Sequence, residues 1–167
     1  MKILTDSAAD LRPEEIERLG IQVIPLTIHF PEGEVQSGDL SPDEFYNRLR
    51  SMAPAIPTTS QPSAGAFAEI YRRLLGSGEE VLSIHISSGL SGTIEAARTG
   101  AQQLNGASIS LVDTLTLSGG ERFQVLAAVL ASQANWGRQA ILERLDRIRA
   151  ETEVVFTLDT LEYLRRG

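Results

Sequence analysis

Apolar residues recur along this chain in two alternating rhythms. Short runs rich in branched residues, at 3–4, 21–30, 81–86 and 108–112, read as buried strands. Between them, apolar positions three and four apart read as helices. These are Ile16 and Leu19; Phe45, Leu49 and Met52; Phe67, Ile70 and Leu74; Ile94, Ala97, Ala101 and Leu104; the stretch 118–136; and Ile141, Leu142, Leu145 and Ile148. Arg12-Pro13-Glu14-Glu15 and Ser41-Pro42-Asp43-Glu44 are helix starts, with Pro in a first turn and acids at the positive end of the dipole. Gly20 is a C-cap, and Pro31-Glu32-Gly33-Glu34 predicts a turn, as in a hairpin. Pro25 makes 21–30 an edge strand or a bulged one. The stretch 53–63 holds three prolines and is expected to be extended or loop. A final strand is predicted over 153–158 and the start of a helix over 160–166.

Strands alternating with helices predict a three-layer α/β fold, a parallel sheet with helices on both faces. The 167 residues suit one domain with a full core. Ligands of such sheets lie outside the carboxyl ends of the strands. Thr5-Asp6-Ser7, the stretch 87–93 and Asp113-Thr114 all follow strands and so share that edge.

Composition narrows the function. A net charge of −7, with fourteen Arg and one Lys interspersed among acids, gives no basic stripe for nucleic acid. Cysteine is absent, which removes disulfides and thiolate metal sites. The N-terminus opens directly into a strand pattern without a signal-peptide hydrophobic region. The apolar stretch 123–131 is too short to span a bilayer and reads as a buried helix. A cytoplasmic protein is the expectation. Asp6, Asp10, Asp113 and Asp159 match no calcium or zinc spacing, so no metal and no cofactor are expected.

The candidate chemistry lies in two hydroxyl-rich stretches, Thr58-Thr59-Ser60-Gln61-Pro62-Ser63 and Ser87-Ser88-Gly89-Leu90-Ser91-Gly92-Thr93. Each precedes a helix, and the second also follows a strand. Hydroxyls and free N–H groups at a helix N-terminus suit an anion, and the absence of Lys favours a carboxylate over a polyphosphate. The plainer reading of Ser63 and Ser91 is helix capping. A rival reading makes Ser91 the nucleophile of a serine hydrolase or transferase. Gly89-Leu90-Ser91-Gly92 brings the second glycine of a nucleophile elbow one place early, however, and the only histidines, His29 and His85, lie inside strand patterns.

Together these residues resemble the DegV family of bacterial fatty-acid-binding proteins. Ile3-Leu4-Thr5-Asp6-Ser7-Ala8-Ala9-Asp10-Leu11 is similar to the family's opening, and Ile24-Pro25-Leu26 to its second strand. Thr59-Ser60-Gln61-Pro62-Ser63 and Ser87-Ser88-x-Leu90-Ser91-Gly92-Thr93 match its two signature stretches. Asp113-Thr114 with Ser118-x-Gly120 and the run 161–167 resemble its later segments.

The resemblance implies a non-enzymatic carrier that buries one long-chain fatty acid in an apolar tunnel and presents it to a fatty acid kinase. It implies that Thr59 and Ser91 hold the carboxylate, in a lipid site that includes Ser60, Ser88 and Gly92. Arg122 stands where the family tends to have glycine, and is expected to alter the loop after the Asp113 strand. The chain reads as a single domain over 1–167, ending where the family's Gly-Gly-Arg motif and second domain would begin. The reading is of a truncated form, whose uncovered apolar surface predicts a homodimer through the C-terminal segment or the cleft mouth.

Overall fold

The computed structural model describes residues 1–76, 79–158, 160 and 161. In chain order the elements begin with β1 (Lys2–Asp6), α1 (Pro13–Leu19), β2 (Gln22–Ile24), β3 (Thr27–Phe30), β4 (Gly33–Gln36) and α2 (Pro42–Ser51). They continue with β5 (Thr58–Ser60), α3 (Ala64–Leu74), β6 (Val81–His85), α4 (Thr93–Gln102), β7 (Ile109–Asp113), α5 (Ser118–Gln133) and α6 (Arg138–Glu151). Four strands pair in parallel in the order β2-β1-β6-β7. A second sheet, antiparallel in the order β4-β3-β5, carries the first hydroxyl stretch.

The parallel sheet is covered on both faces, so that β6 is buried along its whole length and β1 along all but its first residue. Successive residues point to opposite faces. Ile3 joins Val125, Val129, Ile141 and Leu145 of α5 and α6, whereas Leu4 joins Phe67, Ile70, Tyr71 and Ala97 of α3 and α4. The helices α3 and α4 touch closely at Gly100. A Cβ there would fall 2.6 Å from the Phe67 Cβ and 2.7 Å from the Ala64 carbonyl oxygen. No described helix is long and apolar enough to cross a membrane.

Two expectations, for 21–30 and 153–158, need correction, and the extended reading of 53–63 gains a strand. The run 21–30 is two strands in two sheets. Proline lacks an N–H, so the ladder stops at Pro25, and the chain turns away while Leu26 donates to the Ser7 hydroxyl at 3.0 Å. Within 53–63, β5 forms because β3 offers it an edge, with Ile28 opposite Thr59. The segment 153–158 has no strand partner, and Val155 and Phe156 are exposed, so its apolar pattern forms no strand. Of the helix start predicted over 160–166, all but Thr160 and Leu161 lies outside the described residues, as does Asp159. The hairpin at 31–34 is present, with Phe30 opposite Gly33. So is the capping box of Ser41 and Glu44.

Candidate functional site

The end of β6 feeds a turn that consumes most of its own N–H groups. Gly89 donates to the Ser87 hydroxyl at 3.1 Å, and Leu90 and Ser91 donate to the Ser87 carbonyl at 2.9 and 3.0 Å. Ser88 donates its N–H to the Asp113 carboxylate at 3.1 Å, which ties the turn to the end of β7. Hydroxyls, rather than those N–H groups, are therefore what this part of the turn presents. Helix α4 starts at Thr93 with Gly92 at the cap position, so Ser91 lies one residue before the cap. The Ser91 hydroxyl lies 2.8 Å from that of buried Thr93 and accepts the Thr93 N–H at 3.3 Å. Ser63, by contrast, caps α3 through the Ala66 N–H.

The first hydroxyl stretch reaches this turn through Gln61. A Cβ on Gly92 would lie 3.0 Å from Gln61 Nε2, so the two stretches pack against each other. Alternation along β5 sends Thr59 to the face opposite Thr58 and Ser60. Thr59 is exposed and its hydroxyl makes no hydrogen bond among the described residues; the same holds for the hydroxyl of Ser88. Ser60 is engaged. Its hydroxyl lies 2.8 Å from His29 Nε2, and His29 Nδ1 lies 3.1 Å from Glu34. Beside the turn, a cleft of about 380 Å³ is lined by Ser87, Leu90, Leu115, Leu117 and Val154, which gives apolar walls next to the hydroxyls.

Beneath the turn lies a polar network that the motifs alone do not reveal. The Asp6 carboxylate accepts the Ala8 N–H at 2.9 Å and the Ile86 N–H at 3.1 Å, and it faces His85 Nδ1 at 2.9 Å. His85 Nε2 meets the Ser83 hydroxyl at 2.6 Å, and Ser83 meets the Tyr71 hydroxyl at 2.8 Å. Asp6, His85, Ser83 and Tyr71, the four residues of this chain of contacts, are all buried. The only hint in the sequence is Thr5, Asp6, Ser83 and His85 interrupting otherwise apolar strands. Burial pushes the Tyr71 hydroxyl up to about 12. Next to Asp6, the buried Glu121 accepts from the Thr5 hydroxyl at 3.1 Å, and burial with the Asp6 charge pushes its carboxyl up to about 9.

This arrangement bears on the hydrolase reading. Ser83, His85 and Asp6 have the order of a catalytic triad, but all three are fully buried and no substrate reaches them. Ser91 has Thr93 as its side-chain partner, and neither histidine is hydrogen-bonded to it. Among the described residues no group of three or more His, Asp or Glu could hold a metal ion. The ion pair of Arg122 lies away from the loop after β7. Arg122 reaches across to Glu15, which also binds Arg12, and thereby ties α5 to α1.

The fold and these motifs have close counterparts. The model of the DegV family, described as "Uncharacterised protein, DegV family", matches residues 1–167. A DegV domain-containing protein of Deinococcus radiodurans is 40% identical over 164 residues, covering 98% of this chain and 58% of that protein. One of Streptococcus pneumoniae is 35% identical over 167 residues, covering 100% of this chain and 60% of that protein. Among solved structures, a DegV family protein from Thermus thermophilus, described by its fatty acid binding, superposes with a TM-score of 0.92 at 38% identity. The match covers 99% of this chain and 59% of that one. DegV of Bacillus subtilis, described as a fatty acid binding protein, gives 0.87 at 28% identity, with 99% and 59% covered. The chain thus spans about three fifths of the length of these relatives and, on the full-length match of the family model, belongs to the DegV family.

Proposed function

We propose that this chain binds a long-chain fatty acid in the strand-end cleft, with the hydroxyls of Thr59 and Ser91 donating to its carboxylate. The observation that carries this reading is the packing of the two hydroxyl stretches on each other through Gln61 and Gly92. The hydroxyls of Thr59 and Ser88 are exposed and available as donors, and Ser60 meets His29 of β3. Leu90 and Leu115, both largely exposed, offer apolar surface to the first methylenes of an acyl chain. The relatives from Thermus thermophilus and Bacillus subtilis, both described as binding fatty acids, support the same ligand. A buried methylene contributes about 0.8 kcal/mol, so the acyl chain supplies most of the affinity and the hydroxyls set its direction.

In this reading the protein is a carrier. It performs no chemistry on the acid, and presents it to a fatty acid kinase as the family resemblance implies. The described apolar surface, including Val155, Phe156 and Leu161, favours a homodimer, which light scattering at micromolar concentration tests. Native mass spectrometry of protein from a bacterial host, followed by titration with a fatty acid, tests the main claim. Ser91→Ala and Thr59→Val are each expected to weaken binding by about 1–3 kcal/mol, the range for hydrogen bonds to a charged group. Equal affinity in both variants and the parent would move the carboxylate elsewhere, and absence of any bound acid would end the carrier reading.

A further inference from the structure

We propose that the groove between α5 and α6 is a binding site for a small anionic amphiphile, a single alkyl chain bearing a carboxylate head, distinct from the strand-end cleft. The groove has a volume of about 590 Å³ and is lined by Phe123, Leu126, Leu130 and Trp136, with Arg144 and Arg147 on its α6 side. That volume falls within the roughly 300–1,000 Å³ of small-molecule sites, which are mostly apolar with a few placed polar groups. Leu126 packs against the core, but Phe123, Leu130 and Trp136 do not. Phe123, Leu130 and Trp136 are 53%, 61% and 47% exposed, although all three lie on or just after a helix whose other face is buried.

Charge selects the ligand. Neither Arg144 nor Arg147 has an ion pair or a hydrogen bond among the described residues, whereas the neighbouring Arg149 is paired with Asp146. Two unpaired guanidiniums beside an apolar trough complement one anionic head on one alkyl chain. A lipid surface is disfavoured. Membrane attachment by charge takes a cluster of basic residues, and here Glu143, Asp146 and Glu151 alternate with the arginines in a chain of net charge −7. This site does not depend on the Thr59 and Ser91 reading.

Trp136 is the only tryptophan, so its fluorescence reports on this groove alone. The full chain is titrated with dodecanoate, below its micelle concentration and at mildly alkaline pH. A saturable blue shift is expected. The double variant Arg144→Gln, Arg147→Gln, altered only at exposed positions, is expected to bind about tenfold more weakly. Dodecanol is expected to act equally on parent and variant. The double variant Thr59→Val, Ser91→Ala is expected to keep the Trp136 response while losing the strand-end site, so the two sites fail separately. No shift, a shift indifferent to the arginines, or a shift lost in the Thr59 and Ser91 variant overturns the proposal. So does a shift produced by protein concentration alone, which would make a second copy the occupant.

Discussion

Asp6 and His85 meet at 2.9 Å in the interior, side by side at the ends of β1 and β6. The same carboxylate takes the N–H of Ile86, the residue that leads into the hydroxyl turn. One side chain thus sets both the strand pairing and the point where the turn departs. Asp6→Ala leaves the Ala8 and Ile86 N–H groups and the His85 ring without their partner. A loss of about 3–5 kcal/mol is expected, because several buried hydrogen-bonding groups lose their partner at once. Urea unfolding measures it, and a loss under about 1 kcal/mol would mean that the network relaxes around the gap.

Glu121 gives the protein a pH dependence of definite sign. Its carboxyl is raised from the ordinary 4.5 to about 9, so between those values the folded chain holds a proton that the unfolded chain has released. Its contribution is therefore complete below about 4.5 and is lost as pH rises through about 9. Glu121→Gln keeps the shape and cannot ionise. The variant is expected to show a flatter fall in stability over the alkaline half of that window. Parallel slopes for parent and variant, from urea melts at several pH values, would place the proton elsewhere.

Glu15 has the opposite sign. The Arg122 guanidinium, then Arg12, hold its carboxyl near 2, well below the usual carboxylate range. Its contribution is present above about 4.5 and fades as pH falls toward 2. Arg122→Gly removes the tie between α1 and α5. The variant is expected to be less stable at neutral pH and to lose less on acidification than the parent. Acid titration followed by circular dichroism checks both halves of this expectation.

Two glycines separate packing from signature contact. At Gly100 an added methyl meets the Phe67 Cβ at 2.6 Å and backbone oxygen at 2.7 Å, neither of which can swing aside. Gly100→Ala is expected to cost about 1–3 kcal/mol by forcing α3 and α4 apart. Because these helices follow the two hydroxyl stretches, fatty acid affinity should fall with it. At Gly92 the added methyl meets the end of the flexible Gln61 side chain at 3.0 Å. Gly92→Ala should leave stability within about 0.5 kcal/mol. A thermal melt of the two variants side by side reads the contrast.

The rhythm of apolar positions determined the class of fold. Strand and helix periods alternate along the chain, and β1, β6, β7 and the helices from α3 to α6 stand where those periods predict them. Local chemistry determined the helix starts at Ser41 and Ser63, because a hydroxyl three residues from an N–H acts without any distant partner. The hydroxyl stretches were legible as sites for the same reason. What the sequence could not decide was pairing. The second sheet exists because β3 offers edges to β4 and β5, and 153–158, with an equally apolar pattern, found no edge and stayed unpaired. Ser87 accepts through both its hydroxyl and its carbonyl and so organises its own turn. Asp6 meets His85 from 79 residues away in sequence, and Thr5 meets Glu121 from 116. Such contacts, and the proton that burial keeps on Glu121, follow from which surfaces meet and exclude water, a property of the folded whole that no local spacing encodes.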